Sequence, residues 1–303
     1  MLRTKIYKKI SLKDPVMIAG WPGMGSVAIG VVNYLRRKLG AVRFAEIEID
    51  RSITLDSVVV ENGIASIPPS PRNVFYYTTK PDLIIFEGEA QLAGEKGLRL
   101  LNGVIEVALG HGVKKIYTGA SFPLPVSHND QSEVYGAANN HTVAGAFRRL
   151  GIKTMDNGHI SGLNGLLLGF AEKKGIDALC LLATIPQYAI NLPNPKASLA
   201  IINTLGNILR FRVDEDELKG YIKDMDEKMG LIEDKVKEVF IPEAEDIKSH
   251  DNEKNIPENI MERIEKLFQE SRLDRAKAFI LKRELDRWDL YKSFEDRFLD
   301  LFK

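Results

Sequence analysis

Charge falls along this sequence in two regimes that change near residue 205. The first 205 residues carry 22 basic and 16 acidic side chains, together with 21 of the 24 glycines. That is about 19% charged, below the ~25% of an average globular chain. The last 98 residues carry 20 basic and 26 acidic side chains, about 47% charged and nearly twice that average. A glycine-rich, weakly charged segment suits buried strands, tight turns and close packing. A glycine-poor, densely charged one suits solvated amphipathic helices. The sequence therefore predicts an α/β body over 1–212 and a charged helical region over 213–303, with a polar linker near 243–255.

The totals restrict the function classes. The 42 basic residues are balanced by 42 acidic ones, which argues against a nucleic-acid or anionic-membrane partner, whose footprint is a basic excess. With 44% apolar residues the chain can bury a core. One cysteine makes neither an internal disulfide nor a thiolate metal cage, so a reducing, cytoplasmic setting is expected. Met1 to Lys9 is basic, but no apolar signal-type run follows it. Ala178 to Ile190 is too short to span a bilayer and contains Pro186.

Within the body, apolar runs alternate with helical periodicity. Val16 to Ala19, Phe44 to Ile49, Val58 to Val60, Val74 to Tyr77, Asp82 to Glu87, Lys115 to Gly119 and Ala178 to Thr184 read as strands. Ser26 to Leu39, Leu98 to Leu109, Val143 to Leu150, Leu163 to Lys174 and Ser198 to Arg210 read as helices. Asn194 and Pro195 open the last of these as cap and first helical residue. Strands apolar on both faces predict a mostly parallel sheet with helices on both sides. Asp214 to Val239 reads as one long helix stopped before Pro242. Beyond Pro257 an apolar stripe recurs every three or four residues and ends in Trp288, Tyr291, Phe294, Phe298 and Leu301. It must be buried either on the chain's own body or against a subunit or partner, for which aromatic anchors are favoured.

Several patterns could carry chemistry. Gly23, Gly25 and Ala28 stand in G-x-G-x-x-A spacing between a strand and a helix, with Glu46, Glu48 and Asp50 some twenty residues on. This is the context of a dinucleotide fingerprint, or of a turn that needs glycine for geometry alone. Ser121 lacks the second glycine of a nucleophile elbow, and His128 and Asp130 lie near it in sequence. Cys180 sits in an apolar strand as an inert core thiol. His111, His128, His141, His159 and His250 show no ligand spacing, so no metal site is expected. Glu87 and Glu89 share a strand face and could act as an acid–base pair or simply face water.

Taken together, Ala19 to Ser26, Phe86 to Ala90, Gly119 to Pro123, Tyr135-Gly136 and Gly158 to Gly165 resemble the archaeal branch of the proteasome assembly chaperone family. The resemblance covers residues 1 to about 240. It implies a nucleoside phosphorylase-like α/β architecture, a homo-oligomer, no cofactor, and a non-enzymatic role in binding proteasome subunits. The alternative is a nucleotide-dependent enzyme of ATP-grasp, carboxylate–amine ligase or nucleoside phosphorylase type. The resemblance also implies a tail motif of hydrophobic residue, tyrosine and any residue that docks on a proteasome α-ring. Here that motif reads Leu301, Phe302, Lys303, without the phenolic hydroxyl. The expected partner-binding residues are thus Leu301, Phe302, Lys303, Trp288, Tyr291 and Phe298.

Overall fold

The computed structural model describes residues 2–49, 58–240, 258–273, 277–288, 290–299 and 301. The chain opens with β1 (Leu2–Ile6) and β2 (Val16–Gly20), then passes through a short 3-10 turn, Met24–Ser26, into α1 (Val27–Lys38) and β3 (Val42–Ile49). A detached hairpin of β4 (Val59–Glu61) and β5 (Ile64–Ser66) precedes β6 (Asn73–Thr79) and β7 (Asp82–Gly88). There follow α2 (Gly94–Gly110), β8 (Lys115–Leu124), β9 (Val134–Ala138), α3 (His141–Ala144), β10 (Lys153–Thr154) and α4 (Gly162–Glu172). β11 (Asp177–Pro186), α5 (Pro195–Leu209) and α6 (Asp216–Phe240) complete a first compact unit, Met1–Glu243. A second unit, Ala244–Lys303, contains α7 (Glu258–Leu273), α8 (Ala278–Arg287) and α9 (Tyr291–Leu299). The compositional boundary at 212/213 lies inside the first unit.

Nine strands form one sheet in the order β1-β3-β6-β7-β2-β8-β11-β9-β10. The expectation of a mostly parallel sheet is corrected here, because the sheet is mixed. β7, β2, β8 and β11 run parallel at its centre. Antiparallel pairs flank them: β1 with β3, β3 with β6, β6 with β7, and β11 with β9. One cause is local. Thr79 pairs with Asp82, so Lys80 and Pro81 alone connect β6 to β7, and a parallel crossover needs about a dozen residues.

The central strands are apolar on both faces because both faces are covered. Ile84, Phe86, Ile116 and Cys180 join Leu101, Val104 and Leu167 of α2 and α4 on one side. Ile18, Ile85, Leu181 and Ile185 join Val31, Leu35, Ile201 and Leu205 of α1 and α5 on the other. α5 starts where its chemistry requires: Asn194 Oδ1 accepts the Ala197 N–H at 2.9 Å, with Pro195 in the first turn. The helix expected over Val143 to Leu150 is instead α3, four residues long, followed by a short 3-10 turn at Arg148–Leu150. No helix among the described residues is long and apolar enough to cross a membrane.

Candidate functional site

The glycine segment after β2 is built into the core. Trp21 is fully buried, 4.9 Å from the Phe86 ring. It lies over Gly88, where an added Cβ would come within 2.3 Å of the indole. Asn164 on α4 clamps the Trp21 backbone, with Oδ1 accepting its N–H at 3.0 Å and Nδ2 donating to its carbonyl at 3.2 Å. Gly25 is left-handed at φ 63° and buried. Its N–H donates to Ile190 O at 2.7 Å, and its carbonyl accepts from Asn194 N at 2.7 Å. The Ser26 N–H is spent on Gly23 O.

This geometry favours the reading of the turn as glycine needed for backbone geometry. A phosphate cradle needs free backbone donors, and the Gly25 and Ser26 donors are bonded to the chain's own carbonyls. A dinucleotide fold also sets the acidic strand beside the glycine strand. Here β6 and β7 separate β3 from β2. Glu46 pairs with Arg43 and Arg72, and Glu48 with Lys5; Asp50 lies outside the described residues. Millimolar ATP or NAD is therefore expected to leave the melting temperature unchanged in a thermal-shift assay. Gly25→Val is expected to lower stability by about 1–3 kcal/mol, from the positive φ alone.

Beyond the turn lies a cleft of about 330 Å³, bounded by Gly23 and Met24, by Ala120 to Pro123 of β8, and by the Met155 to Ser161 segment leading to Asn164. It sits at the carboxyl ends of β2 and β8, where connections diverge. β2 leads through α1 towards β3 on one side, and β8 is reached from β7 through α2 on the opposite face. Open α/β sheets hold ligands at such points.

The remaining sequence candidates do not converge into a catalytic set. Ser121 Oγ donates to Met24 O. His128 Nδ1 lies 2.6 Å from Glu233, and Asp130 accepts the Ser127 N–H at 2.9 Å. Glu87 pairs with Arg36 at 2.7 Å, and Glu89 accepts the Arg72 N–H at 2.8 Å. No metal-holding cluster occurs among the described residues. Cys180 is fully buried, and burial pushes its thiol pKa up to about 12. It is expected to react with a thiol reagent only at the rate of global unfolding, which stopped-flow labelling in denaturant can check.

The C-terminal stripe closes on itself. Ile264, Phe268, Leu281, Leu285, Leu290 and Phe298 are buried in one cluster, against which Trp288, Tyr291, Phe294 and Leu301 pack half-buried. Tyr291 meets Phe298 edge-on at 5.6 Å. Of the expected partner-binding residues the structure brings together Trp288, Tyr291, Phe298 and Leu301; Phe302 and Lys303 lie outside the described residues.

Residues 17–232, most of the first unit, match the PAC2 family. The chain belongs to the PAC2 family. The family resemblance read from the glycine, Phe86 to Ala90 and Gly119 to Pro123 segments is thereby borne out. This PAC2 chain is 24% identical over 223 residues to an uncharacterized protein of Methanocaldococcus jannaschii, covering 71% of this chain and 82% of that one. Its fold is similar to that of Pyrococcus furiosus PbaB, an archaeal proteasome activator, with a TM-score of 0.65 at 22% identity over 77% of this chain and 98% of PbaB. It is also similar to Pyrococcus furiosus PbaA, an archaeal homolog of proteasome-assembly chaperone, with a TM-score of 0.61 at 19% identity over 77% and 97%.

Sequence reasoning missed two polar groups that organise this PAC2 body. Asn164 was signalled as a polar residue inside the apolar run Leu163 to Leu168. Glu233 on α6 was hidden among many acids. It is buried and accepts from Tyr188 Oη at 2.5 Å, Ser127 Oγ at 3.0 Å and the His128 N–H at 3.2 Å. Burial and this carboxylate push the Tyr188 phenol well above its ordinary pKa.

Proposed function

We propose that this protein is a non-catalytic, cytoplasmic proteasome-binding scaffold of the assembly-chaperone or activator kind, working as a closed homo-oligomer of its α/β body. The observation that carries the reading is the correspondence of that body to an archaeal proteasome activator over nearly the whole of the activator's chain. Family membership and a glycine turn whose Gly25 and Ser26 donors are spent internally support it. In this reading the nucleoside phosphorylase-like body is a frame for subunit packing, and the partner is the proteasome α-ring. The partner-binding residues are Leu301, Phe302 and Lys303, with Trp288 and Tyr291 offering the outer faces of their half-buried rings and Phe298, buried against Tyr291, supporting them from within. Repetition of weak contacts around a ring of subunits converts them into avidity when the spacing suits the partner.

The test is surface plasmon resonance over immobilised archaeal proteasome α-rings. The double variant Leu301→Ala/Phe302→Ala is expected to bind at least ~10-fold more weakly than the parent. Phe302→Tyr is expected to bind about two- to tenfold more tightly, the value of one recovered hydrogen bond of ~0.5–1.5 kcal/mol. Equal affinities for all three forms would remove this segment from the mechanism. Light scattering is expected to return a multiple of the 34.0 kDa chain mass. A monomer mass at micromolar concentration would refute the oligomer.

A further inference from the structure

The cleft between β2 and β8 has a chemistry that the scaffold role does not use. In a chain that is 28% charged, no lysine, arginine, aspartate or glutamate lines it. Its walls are apolar, formed by Met24, Ala28, Ala120, Phe122, Ile160 and Leu182. Its volume of about 330 Å³ falls within the ~300–1,000 Å³ range of small-molecule sites.

Gln91, Ser121, Asn157, His159, Ser161 and Asn164 add polar side chains to the lining, and Asn164 and Ser121 have bonds that define what capacity they keep. Asn164 is 4% exposed. Its Oδ1 accepts from Trp21 N and from Thr118 Oγ1, which fills both lone pairs. Its Nδ2 carries two hydrogens and donates one, to Trp21 O. The other N–H has no acceptor among the described residues. The Nδ2 atom lies 3.8 Å from the place where a Cβ on Gly23 would stand, with no other atom closer to that place, so it faces the open side of Gly23 in the cleft. Ser121 Oγ has given its hydrogen to Met24 O and presents only lone pairs. The cleft thus offers a donor from Asn164 and an acceptor from Ser121. Three backbone donors near the cleft are taken: Leu163 N–H bonds Gln91 Oε1, and Gly25 and Ser26 N–H bond carbonyls.

We propose that this cleft binds a small uncharged ligand with an apolar, aromatic-sized body and a carboxamide-type edge. The carbonyl of that edge accepts from Asn164 Nδ2, and its N–H donates to Ser121 Oγ. An anionic ligand of the same shape is disfavoured, because a carboxylate loses its water here and meets no lysine or arginine, His159 being the one side chain of the lining that can carry positive charge.

Ligand-observed saturation-transfer NMR on the full chain tests this with a matched pair of probes, benzamide and benzoate. Benzamide is expected to receive saturation at least ~5-fold more strongly than benzoate. Gly23→Leu supplies the location control. Gly23 is extended at φ −167°, a backbone that any residue adopts, and a Cβ there meets only Asn164 at 3.8 Å. The leucine side chain therefore fills the cleft while the fold is kept, as a thermal melt would verify, and the benzamide signal is expected to vanish. Absence of benzamide signal in the parent chain overturns the proposal, as does benzoate binding equally or better. A benzamide signal unchanged in folded Gly23→Leu places the binding elsewhere and overturns it too. The probe comparison in the parent chain stands even if the variant does not fold.

Discussion

Trp21→Ala is expected to lower the stability of the body by about 3–5 kcal/mol, the cost of emptying a fully buried tryptophan site. At ~2–4 °C per kcal/mol for a unit of this size, calorimetry should record a fall of roughly 10 °C or more. The loss is large because Trp21 joins β7 to α4. Its ring meets Phe86 of β7, its edge fills the space that Gly88 leaves, and its backbone is clamped by Asn164 of α4. Trp21→Phe separates packing from polarity. The indole Nε1 is buried with no hydrogen-bond partner, so phenylalanine loses volume but also removes an orphaned donor worth ~1–3 kcal/mol. It is expected to cost less than half of what alanine costs. Equal losses for the two variants would show that the orphaned donor carries no energetic weight.

Glu233→Ala is the second large effect, at about 2–4 kcal/mol. One buried carboxylate on α6 accepts from Ser127, His128 and Tyr188, and removing it leaves three half-buried polar groups without their acceptor. Lys196 to Asp226, at 3.0 Å, remains as a separate tie that holds the middle of α6 to α5, so α6 should loosen from its carboxyl half. Limited proteolysis should then cut within residues 216–240 while the sheet survives. Glu233→Gln keeps one acceptor oxygen and should fall between the alanine variant and the parent. An unchanged cleavage pattern in Glu233→Ala would show that apolar packing of Met225 and Met229 against Ala189 suffices to hold the helix.

The layered body was legible because its signals are local. β2, β7 and β11 are apolar runs, and α1, α2, α4 and α5 show apolar residues at helical spacing. The cap at Asn194 and Pro195 can be read letter by letter. Strand direction was less legible, although the pair Lys80-Pro81 already forced one antiparallel turn. β9, Val-Tyr-Gly-Ala-Ala, carries too few β-formers to announce itself, and its pairing comes from neighbours on β11 that are 41 to 49 residues away. The cleft was illegible for a similar reason. Gly23, Ser121 and Asn164 come from three distant segments, and nothing in their spacing says that Asn164 must serve Trp21 from 143 residues away. The aromatic stripe was visible, but whether it met the body, a partner or itself depended on how α7, α8 and α9 turn back on one another.

The position of β2 has a consequence during synthesis. A ribosome releases this strand well before β7 and β8, yet Val16 pairs with Leu83 on one side and Lys115 on the other. At elongation rates of about 5–20 residues per second, the ~100 residues between β2 and β8 take roughly 5–20 s to emerge. The hairpin of β6 and β7 forms within microseconds of its own release, so it is waiting as a template when the nascent chain must insert β2 along one of its edges. Until β8 arrives, the other edge of β2 stays open, and the hazard of pairing with a neighbouring nascent chain is concentrated in that interval.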